Sequence, residues 1–369
     1  MHCETISTAS DFAGLAEPWN QLVEAMPRPS PFLLHAWLED WWRHYGGNDE
    51  LAVHVAFRGD RLVGALPLCI RRRSGLRVAE FVGGTWALLA DVLLAPGEDG
   101  STAAALTDQA AASRHDFASL FGLPGSSRLV RALPPDSLRL VERLEAPVLD
   151  LDGGWEAVYT AKLSSKARSE RRRRRRQLEE HGPVETAVAR TPDEIAAALE
   201  DAFRIYELRW EGRRDPSGFV TPAGKRFHRE ALLRLAELDI PRIVMVRIDD
   251  RPIAFALAFH FLGRAYGVTM AFDPAYGRFA PGWEAKLLSL EIAGAEGIAR
   301  VELLGAAAEH KRRLTDRFEP IYQGIGLART LRGRAAVETL IGGIHLRRRI
   351  KRSRTAQKVY YRVPRLQRS

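Results

Sequence analysis

Two stretches of the chain, residues 51–68 and 241–258, repeat the same order of apolar and polar positions and align without a gap at an offset of 190. In each stretch a β-branched and apolar run leads into a polar tight turn. A second apolar run follows, with a small residue, Gly64 or Ala254, at the same place. Apolar runs on both sides of a short polar turn are typical of a β-hairpin. The pattern therefore predicts two equivalent hairpins.

The segments around the two hairpins agree as well. A helix that opens with a proline and carries aromatic residues at helical spacing precedes each hairpin, in residues 31–45 and 222–238. The predicted strand, helix and strand that follow are residues 80–94, 102–113 and 116–122 in the first half and 264–272, 283–295 and 300–305 in the second. The pattern favours an α/β (α+β) protein of two duplicated modules, each a mixed, mainly antiparallel sheet flanked by helices. Two unrelated α/β domains are the alternative.

The predicted organisation has three parts. An N-terminal module covers residues 1–150, a C-terminal module covers 151–330, and a basic helical tail covers 331–369. A chain of 369 residues with 46% hydrophobic residues is large enough for two cores. Its apolar runs are too short to cross a bilayer and its N-terminus does not resemble a signal peptide, so we expect a soluble cytoplasmic protein. Cys3 and Cys69 form no metal-binding spacing, and no metal site is predicted.

The net charge of +9 is concentrated in two segments on an otherwise acidic chain. Residues 166–176 hold eight basic side chains against Glu170, and residues 347–369 hold ten with no acid. Such segments indicate local contacts with anions rather than a nucleic-acid-binding surface over the whole protein. For the tail, RNA, anionic lipid headgroups and docking on the acidic body remain open. Peripheral binding at the inner membrane surface is an option for both segments.

Six consecutive arginines, residues 171–176, lie in the first basic segment and are predicted to be helical. Ser164 or Ser165 can cap the helix, Gly182 can end it, and Glu170 precedes Arg174 by four residues. Six consecutive residues encircle a helix, so no orientation buries them all. The run fits a solvated helix or a contact with an anionic acceptor or cofactor phosphate, and nucleic acid is the third reading.

The stretch from residue 266 to 297 carries the candidate chemistry. A strand runs into a Gly- and Pro-containing loop, and a helix is predicted to begin at or just after Pro281. Free amides and the positive dipole end of such a helix can hold a phosphate. Gly277 and Gly282 permit close approach of a ligand, and Arg278 and Lys286 add positive charge.

The equivalent loop of the first half, residues 94–102, has acids where a phosphate would need cations. Glu98 and Asp99 stand there. The comparison predicts that only the second half binds a phosphate-bearing cofactor, and that the first half shapes the structure or the acceptor site.

Several short motifs resemble a known family. The basic helix ends in a Leu-Glu-Glu-x-Gly pattern over 178–182, an Arg209-Trp210 pair follows, Pro281-Gly282 opens a helix, and Gly305 precedes a Lys-Arg-Arg-Leu stretch at 311–314. These features resemble GNAT acyltransferases of the cellulose-biosynthesis-associated CelD/BcsL type, relatives of the Fem aminoacyl transferases. The resemblance is strongest over 163–314, and it departs from the family at His310, where an aromatic residue usually precedes the lysine.

The resemblance implies a GNAT fold, acetyl-CoA or another acyl-CoA as co-substrate, and acyl transfer to an amine or hydroxyl of a cell-envelope, polysaccharide or small-molecule acceptor. The cofactor pyrophosphate would rest on the amides of residues 280–283, and pantetheine would follow the strand at 266–270. The implied cofactor-binding residues are Tyr266, Val268, Met270, Arg278, Ala280, Pro281, Gly282, Trp283 and Lys286. The implied acceptor-binding residues are Arg209, Trp210 and Tyr276.

The sequence leaves two candidates for the proton acceptor and does not fix the role of Lys311. Glu302 and His310 are the candidates for the proton acceptor, and each is a solvated residue under the alternative. Lys311 could hold an anionic acceptor or a cofactor phosphate. Glu302 lies on a strand whose inward and outward faces the sequence leaves undetermined.

Two other functions fit the same sequence. One is Fem-like transfer of an aminoacyl group from charged tRNA, with the arginine helix on the phosphates. The other is a non-catalytic protein that binds nucleic acid or a membrane on a GNAT scaffold, and it predicts that changes at Gly282 have no effect.

Overall fold

The computed structural model describes residues 1–212, 217–305 and 308–352, with side chains up to residue 347. The helices are α1 Ala9–Ala13, α2 Ala16–Glu24, α3 His35–Tyr45, α4 Gly100–Ala112, α5 Arg128–Ala132, α6 Trp155–Lys162, α7 Ser165–Glu179, α8 Pro192–Trp210, α9 Pro222–Ala236, α10 Pro281–Ala295, α11 Glu309–Arg312 and α12 Leu331–Arg352. The strands are β1 His2–Ile6, β2 Glu50–Arg58, β3 Arg61–Arg73, β4 Leu76–Phe81, β5 Leu93–Leu94, β6 Phe117–Pro124, β7 Leu138–Asp150, β8 Val184–Ala189, β9 Pro241–Ile248, β10 Arg251–Phe261, β11 Arg264–Phe272, β12 Arg300–Glu302 and β13 Phe318–Gly326.

The strands form one sheet in the order β1-β2-β3-β4-β6-β13-β7-β12-β11-β10-β9-β8, with β5 against β3. Neighbours are antiparallel except β4–β6 and β11–β12. The order is symmetric about the central β13–β7 pair. The last strand of each half crosses to the other half, because β7 pairs with β12 and β13 pairs with β6. The predicted fold class, a mainly antiparallel mixed sheet flanked by helices in two tandem modules, is confirmed. The boundary at residue 150 remains a prediction.

The two predicted hairpins, β2–β3 and β9–β10, are both present. In the first the pairing skips Val63, and in the second it skips Ile253. These two β-bulges lie 190 residues apart, which is the offset of the sequence repeat. A bulge is a specific local feature of a strand pair, so its recurrence at the same position supports duplication.

One predicted strand is wrong. The sequence predicted a strand over residues 80–94, but β4 ends at Phe81 and only Leu93–Leu94 returns to the sheet as β5. Gly83 and Gly84 have positive φ angles of 99° and 53°, which redirect the chain out of the extended conformation. The intervening segment turns inward and is buried. Strand β12 is also shorter than predicted, ending at Glu302 rather than 305.

Helices α8 and α10 cover opposite faces of the sheet. Phe255 and Leu257 of β10 pack into the core that contains the apolar residues of α8 and α9, whereas Ala254 and Ala256 pack with Ala285 of α10. Successive side chains of a strand point to opposite faces, so these two cores lie on either side of the sheet. Among the residues described, no helix is long and apolar enough to cross a membrane.

Candidate active site

A cleft opens where β11 and β12 separate. The two strands pair in parallel only over residues 264–266 and 300–302. Beyond this point lies a cavity of about 380 Å³. It is lined by Arg209, Trp210, Ala256, Leu257, Gly267, Val268, Thr269, Met270, Ala271, Phe272, Lys286, Ser289, Leu303, His310 and Lys311. Within the described parts of the chain, this lining contains no carboxylate. Since α8 contributes to it from one face and α10 from the other, the cleft connects the two faces of the sheet.

The backbone of β11 is irregular inside the cleft. The pairing between β10 and β11 skips Val268. At this point β12 has already separated from β11, so Val268 has no partner strand on either side. An amide in that position can bind a ligand carbonyl, and it lies on the strand along which the family resemblance places pantetheine.

Lys286 lies at the narrow end of the cleft. Its side chain is 7% exposed. A Cβ atom built on Gly267 would stand 2.9 Å from the Lys286 Nζ, so the lysine occupies the space that a side chain at Gly267 would fill. Burial, together with the charge of Lys311, lowers the pKa of Lys286 to about 7.

His310 and Lys311 reach the cleft from α11. The Lys311 Nζ donates a hydrogen bond to the carbonyl of Leu304, and burial lowers the pKa of Lys311 to about 8. The His310 ring meets Trp283 edge to face at 6.5 Å between centroids. Burial and the neighbouring cations, Lys311 first, lower the pKa of His310, which favours the neutral imidazole at neutral pH.

A second cavity, of about 670 Å³, lies at the start of α10. Ala280, Pro281 and Trp283 line it, and so does His310, which therefore borders both cavities. Ala280 has a left-handed φ of 56° and caps the helix.

Fewer backbone N–H groups are free at the start of α10 than the sequence predicted. Pro281 has no N–H, and the N–H groups of Trp283 and Glu284 are donated to the carbonyl of Ala280. Gly282 packs against Phe272, whose ring would lie 2.8 Å from a Cβ at this position, and it does not line the cavity. The positive charge of the cavity therefore comes mainly from side chains.

Most of that charge is supplied by the arginine helix. Helix α7 begins as predicted after Ser164, whose hydroxyl accepts from the amide of Ala167 at 3.2 Å. The predicted pair of Glu170 and Arg174 is formed at 2.8 Å. One face of α7 lines the second cavity at helical spacing, with Ala167, Glu170, Arg171, Arg174, Arg175 and Leu178. The carboxylates of Glu284 and Glu309 line this cavity as well.

The arginine run is thereby divided into two faces. Arg171 is largely buried and forms two hydrogen bonds, of 2.7 and 2.8 Å, with the carboxylate of Glu284 on α10. Arg172 and Arg176 are exposed on the opposite face and do not line the cavity. The inner arginines are fixed beside the start of α10, where the sequence analysis placed a cofactor phosphate.

Glu302 is not brought together with His310 and Lys311. Its carboxylate is fully buried and lines neither cavity. Arg28 binds it through two hydrogen bonds of 3.1 and 2.6 Å. Arg300 and Arg264 approach it at 2.8 and 3.4 Å. Because its oxygens are occupied by three guanidinium groups and face neither cavity, this carboxylate is not placed to take a proton from a bound acceptor.

Besides Glu302 and Gly282, three predicted residues line neither cavity. The Tyr266 hydroxyl is buried and donates a hydrogen bond to the carbonyl of Pro29. Tyr276 lies under the guanidinium of Arg251, at 5.8 Å. Arg278 approaches His181 at 3.0 Å. By contrast, Arg209, Trp210, Val268, Met270 and Lys286 all line the cleft.

Sequence reasoning missed some of the residues that shape this region. Gly267 and Ser289 line the cleft, and Ser289 follows Lys286 by three residues on the same helical face, a spacing that could have been noticed. Arg28 lies 274 residues from Glu302 and had no sequence signal. Among the described residues no cluster of His, Cys, Asp or Glu could hold a metal ion.

Comparison with known proteins supports the fold. The family described as the acetyltransferase (GNAT) domain matches residues 165–312. FemX is similar in structure, with a TM-score of 0.60 and 11% identity over 92% of this chain and 100% of that one. So is the C-terminal domain of a proposed lysylphosphatidylglycerol synthetase from Agrobacterium fabrum, with a TM-score of 0.57 and 13% identity over 91% and 97%.

A third similar structure is L-PGS from Bacillus licheniformis, with a TM-score of 0.52 and 13% identity over 82% of this chain and 95% of that one. No curated protein matches the chain. At these identities the structures indicate the fold alone. The segment that supplies α7, β11 and α10 is thus similar in sequence to the acetyltransferase (GNAT) domain and is set within a longer two-module fold.

Proposed function

We propose that the protein transfers an acyl group from acetyl-CoA or another acyl-CoA to an amine or hydroxyl of an acceptor. The observation that carries this proposal is a pair of neighbouring cavities that share His310 as a lining residue. One has an arginine-lined wall beside the start of α10, and the other is a carboxylate-free cleft between β11 and β12. Phosphates suit the first, and a thioester placed along β11 suits the second.

In this proposal the chain positions both reactants and stabilises charge. Arg174 and Arg175 hold the phosphates of the donor, and the backbone at Val268 polarises the thioester carbonyl. Arg209 and Trp210 receive the acceptor from the α8 face of the sheet. His310, neutral because of burial and nearby cations, accepts the proton of the attacking amine or hydroxyl. Lys311 remains a cation for an anionic group of the acceptor.

The acceptor is proposed from charge alone. A cleft with Arg209 and Lys311 and no acid favours an acceptor that carries a phosphate or carboxylate. A cell-envelope or polysaccharide precursor has this chemistry, in line with the resemblance to the CelD/BcsL type. Attachment at the inner membrane surface through the outer arginines of α7 is part of the same proposal. The aromatic and basic residues beyond 352 lie outside the described residues.

One competing function has an observation in its favour. FemX and two structures with lysylphosphatidylglycerol synthetase names share the two-module fold over at least 82% of this chain. Lysylphosphatidylglycerol contains an aminoacyl group, so an aminoacyl-tRNA donor is the second candidate.

The test offers both donors to the purified protein. Calorimetry with acetyl-CoA and longer acyl-CoAs should show binding, and mass spectrometry after incubation with pooled amines, amino sugars and their phosphates should show an acylated product and free CoA. Binding of aminoacyl-tRNA that weakens steeply with salt, without acyl-CoA binding, would favour the second candidate. No binding of either donor would reject transferase function.

A further inference from the structure

Lys286 is a charged residue of the cleft to which the proposed function assigns no role. Lys286 is 7% exposed. No hydrogen bond or ion pair joins its Nζ to any described residue. A buried ammonium without a partner is costly, and such groups persist where they have a function. The Lys286 Nζ lies beside Gly267, 2.9 Å from where a Cβ on that residue would stand, at the point where β11 leaves β12.

The side of the sheet from which Lys286 enters the cleft indicates which of the two reactants it contacts. It projects from α10, on the face of the sheet that carries the second cavity, whereas Arg209 and Trp210 enter from α8 on the other face. A donor whose phosphates lie at the start of α10 would run along β11 towards Gly267. Its thioester sulfur would then lie on the α10 side of the cleft, next to Lys286, while the acceptor arrives from the α8 side.

We infer that Lys286 protonates the leaving group of the donor. This inference rests on the proposed function. The acceptor nitrogen or oxygen forms a bond with the carbonyl carbon, the carbon–sulfur bond breaks with its electron pair on sulfur, and the Lys286 ammonium supplies the proton that sulfur takes. His310 takes the proton lost by the acceptor, and the two residues return to their starting states by proton exchange with water.

The charges around Lys286 suit this role. Lys311 and His310 face it from α11, and Arg209 faces the same cleft from α8, while β10, β11 and β12 present no ionisable side chain to the cleft. With no carboxylate to hold its proton, the ammonium is more acidic than in water, with a pKa of about 7. That acidity makes proton transfer to an alkyl thiolate favourable, because such a thiolate is the stronger base.

The experiment measures kcat and KM for the wild type and for Lys286→Met, with Lys225→Met as the matched lysine control on α9. With acetyl-CoA we expect Lys286→Met to lower kcat about 100-fold or more, with a small change in KM, and Lys225→Met to have no effect. With 4-nitrothiophenyl acetate, whose aryl thiolate leaves without a proton, the loss should shrink to a few-fold. Equal losses with both donors would overturn the inference.

The pH dependence gives a second readout. Only protonated Lys286 can donate, so wild-type kcat should fall as pH rises through about 7, and the variant should lack this fall. The two rates should converge at high pH. A Lys286→Arg variant that keeps full activity would show that charge alone suffices and would also overturn proton donation.

A measurement on the wild type that does not need turnover keeps the inference testable if a variant does not fold. The Lys286 side-chain 13C resonance, assigned by its loss in Lys286→Met or Lys286→Gln, should titrate near neutral pH. A titration midpoint above 9 would reject the role even if the enzyme is active. If the wild type bound no donor and transferred no acyl group, the proposed function would fail, and the inference would fail with it. An active wild type with an unimpaired Lys286→Met would reject the inference alone.

Discussion

The two halves of the molecule share a hairpin, a bulge and an element order, yet among the described residues a cleft between the two parallel strands is open in the second half and filled in the first. In the second half β11 continues to Phe272 after it leaves β12, and a cavity remains between them. In the first half β4 ends at Phe81, and the chain that follows folds against β6. The Ala87 carbonyl lies 2.5 Å from where a Cβ on Gly122 of β6 would stand. Ala87, Leu89 and Ala90 are at most 1% exposed.

The starts of α10 and α4 differ in the charged side chains beside them. Arg171, Arg174 and Arg175 stand beside the start of α10. At the start of α4, by contrast, Asp99 caps the helix and Glu98 binds Arg58. The carboxylates at the start of α4 thus bind donors of the first half itself. The comparison teaches that a repeated scaffold can keep its hydrogen-bond register while a few loop residues decide which copy keeps an open cleft between its parallel strands.

Filling the open cleft should have the largest effect on activity. Gly267→Val places a side chain where the Lys286 Nζ now lies, and makes the second half resemble the first. Because the displaced atom ends a flexible side chain, the fold should persist, and kcat/KM should fall more than about 100-fold. Gly342→Ala is the control, since no atom lies within 4 Å of a Cβ there. Unchanged turnover by the valine variant would place the reaction elsewhere.

The two faces of α7 should separate the cofactor role of the arginines from a surface role. Arg174→Gln together with Arg175→Gln should weaken acyl-CoA binding about tenfold or more, because charge-assisted hydrogen bonds to phosphate are lost. Arg172→Gln together with Arg176→Gln should change affinity less than twofold. Calorimetry at two salt concentrations measures both. If the outer pair caused the larger loss, the arginines would serve a surface contact instead.

Removing the central carboxylate should affect stability more than chemistry. Glu302→Gln leaves Arg28 and its neighbours without their buried partner and should lower the free energy of unfolding by about 3 kcal/mol, as measured by urea denaturation. The specific activity of the folded variant should stay within about twofold of the wild type. Glu338→Gln, which breaks the exposed pair with Arg139, should leave the free energy of unfolding nearly unchanged, because solvent screens that pair. A stable but inactive Glu302→Gln variant would restore Glu302 as proton acceptor.

The smallest effect is expected in the first half. Glu98→Gln together with Asp99→Ser removes both acids and keeps a capping hydroxyl for α4. Since the adjacent space is filled by residues 82–90, acyl-CoA affinity and stoichiometry should remain unchanged in calorimetry. A second bound acyl-CoA per chain would show that the carboxylates alone close the first half.

Some features followed from the sequence because they depend on neighbouring residues. The two hairpins, the caps and length of α7 and the start of α10 at Pro281 are set by turn residues, capping hydroxyls and helical periodicity, which act over a few positions. The repeat at an offset of 190 extended this to the element order of both halves. The grouping of Arg209, Trp210, Met270, Lys286, His310 and Lys311 was anticipated through a family resemblance rather than through local pattern.

Other features depended on contacts between distant segments, which only the tertiary structure decides. A strand of alternating residues does not reveal which face is buried, so the burial of Glu302 against Arg28 required the packing of residues 274 apart. The six arginines have the same local sequence environment, and only the docking of α7 against α10 separates Arg171 and Arg174 from Arg172. The exchange of β7 and β13 between the halves, and the unpartnered ammonium of Lys286 in the cleft, likewise arise from how complete modules pack together.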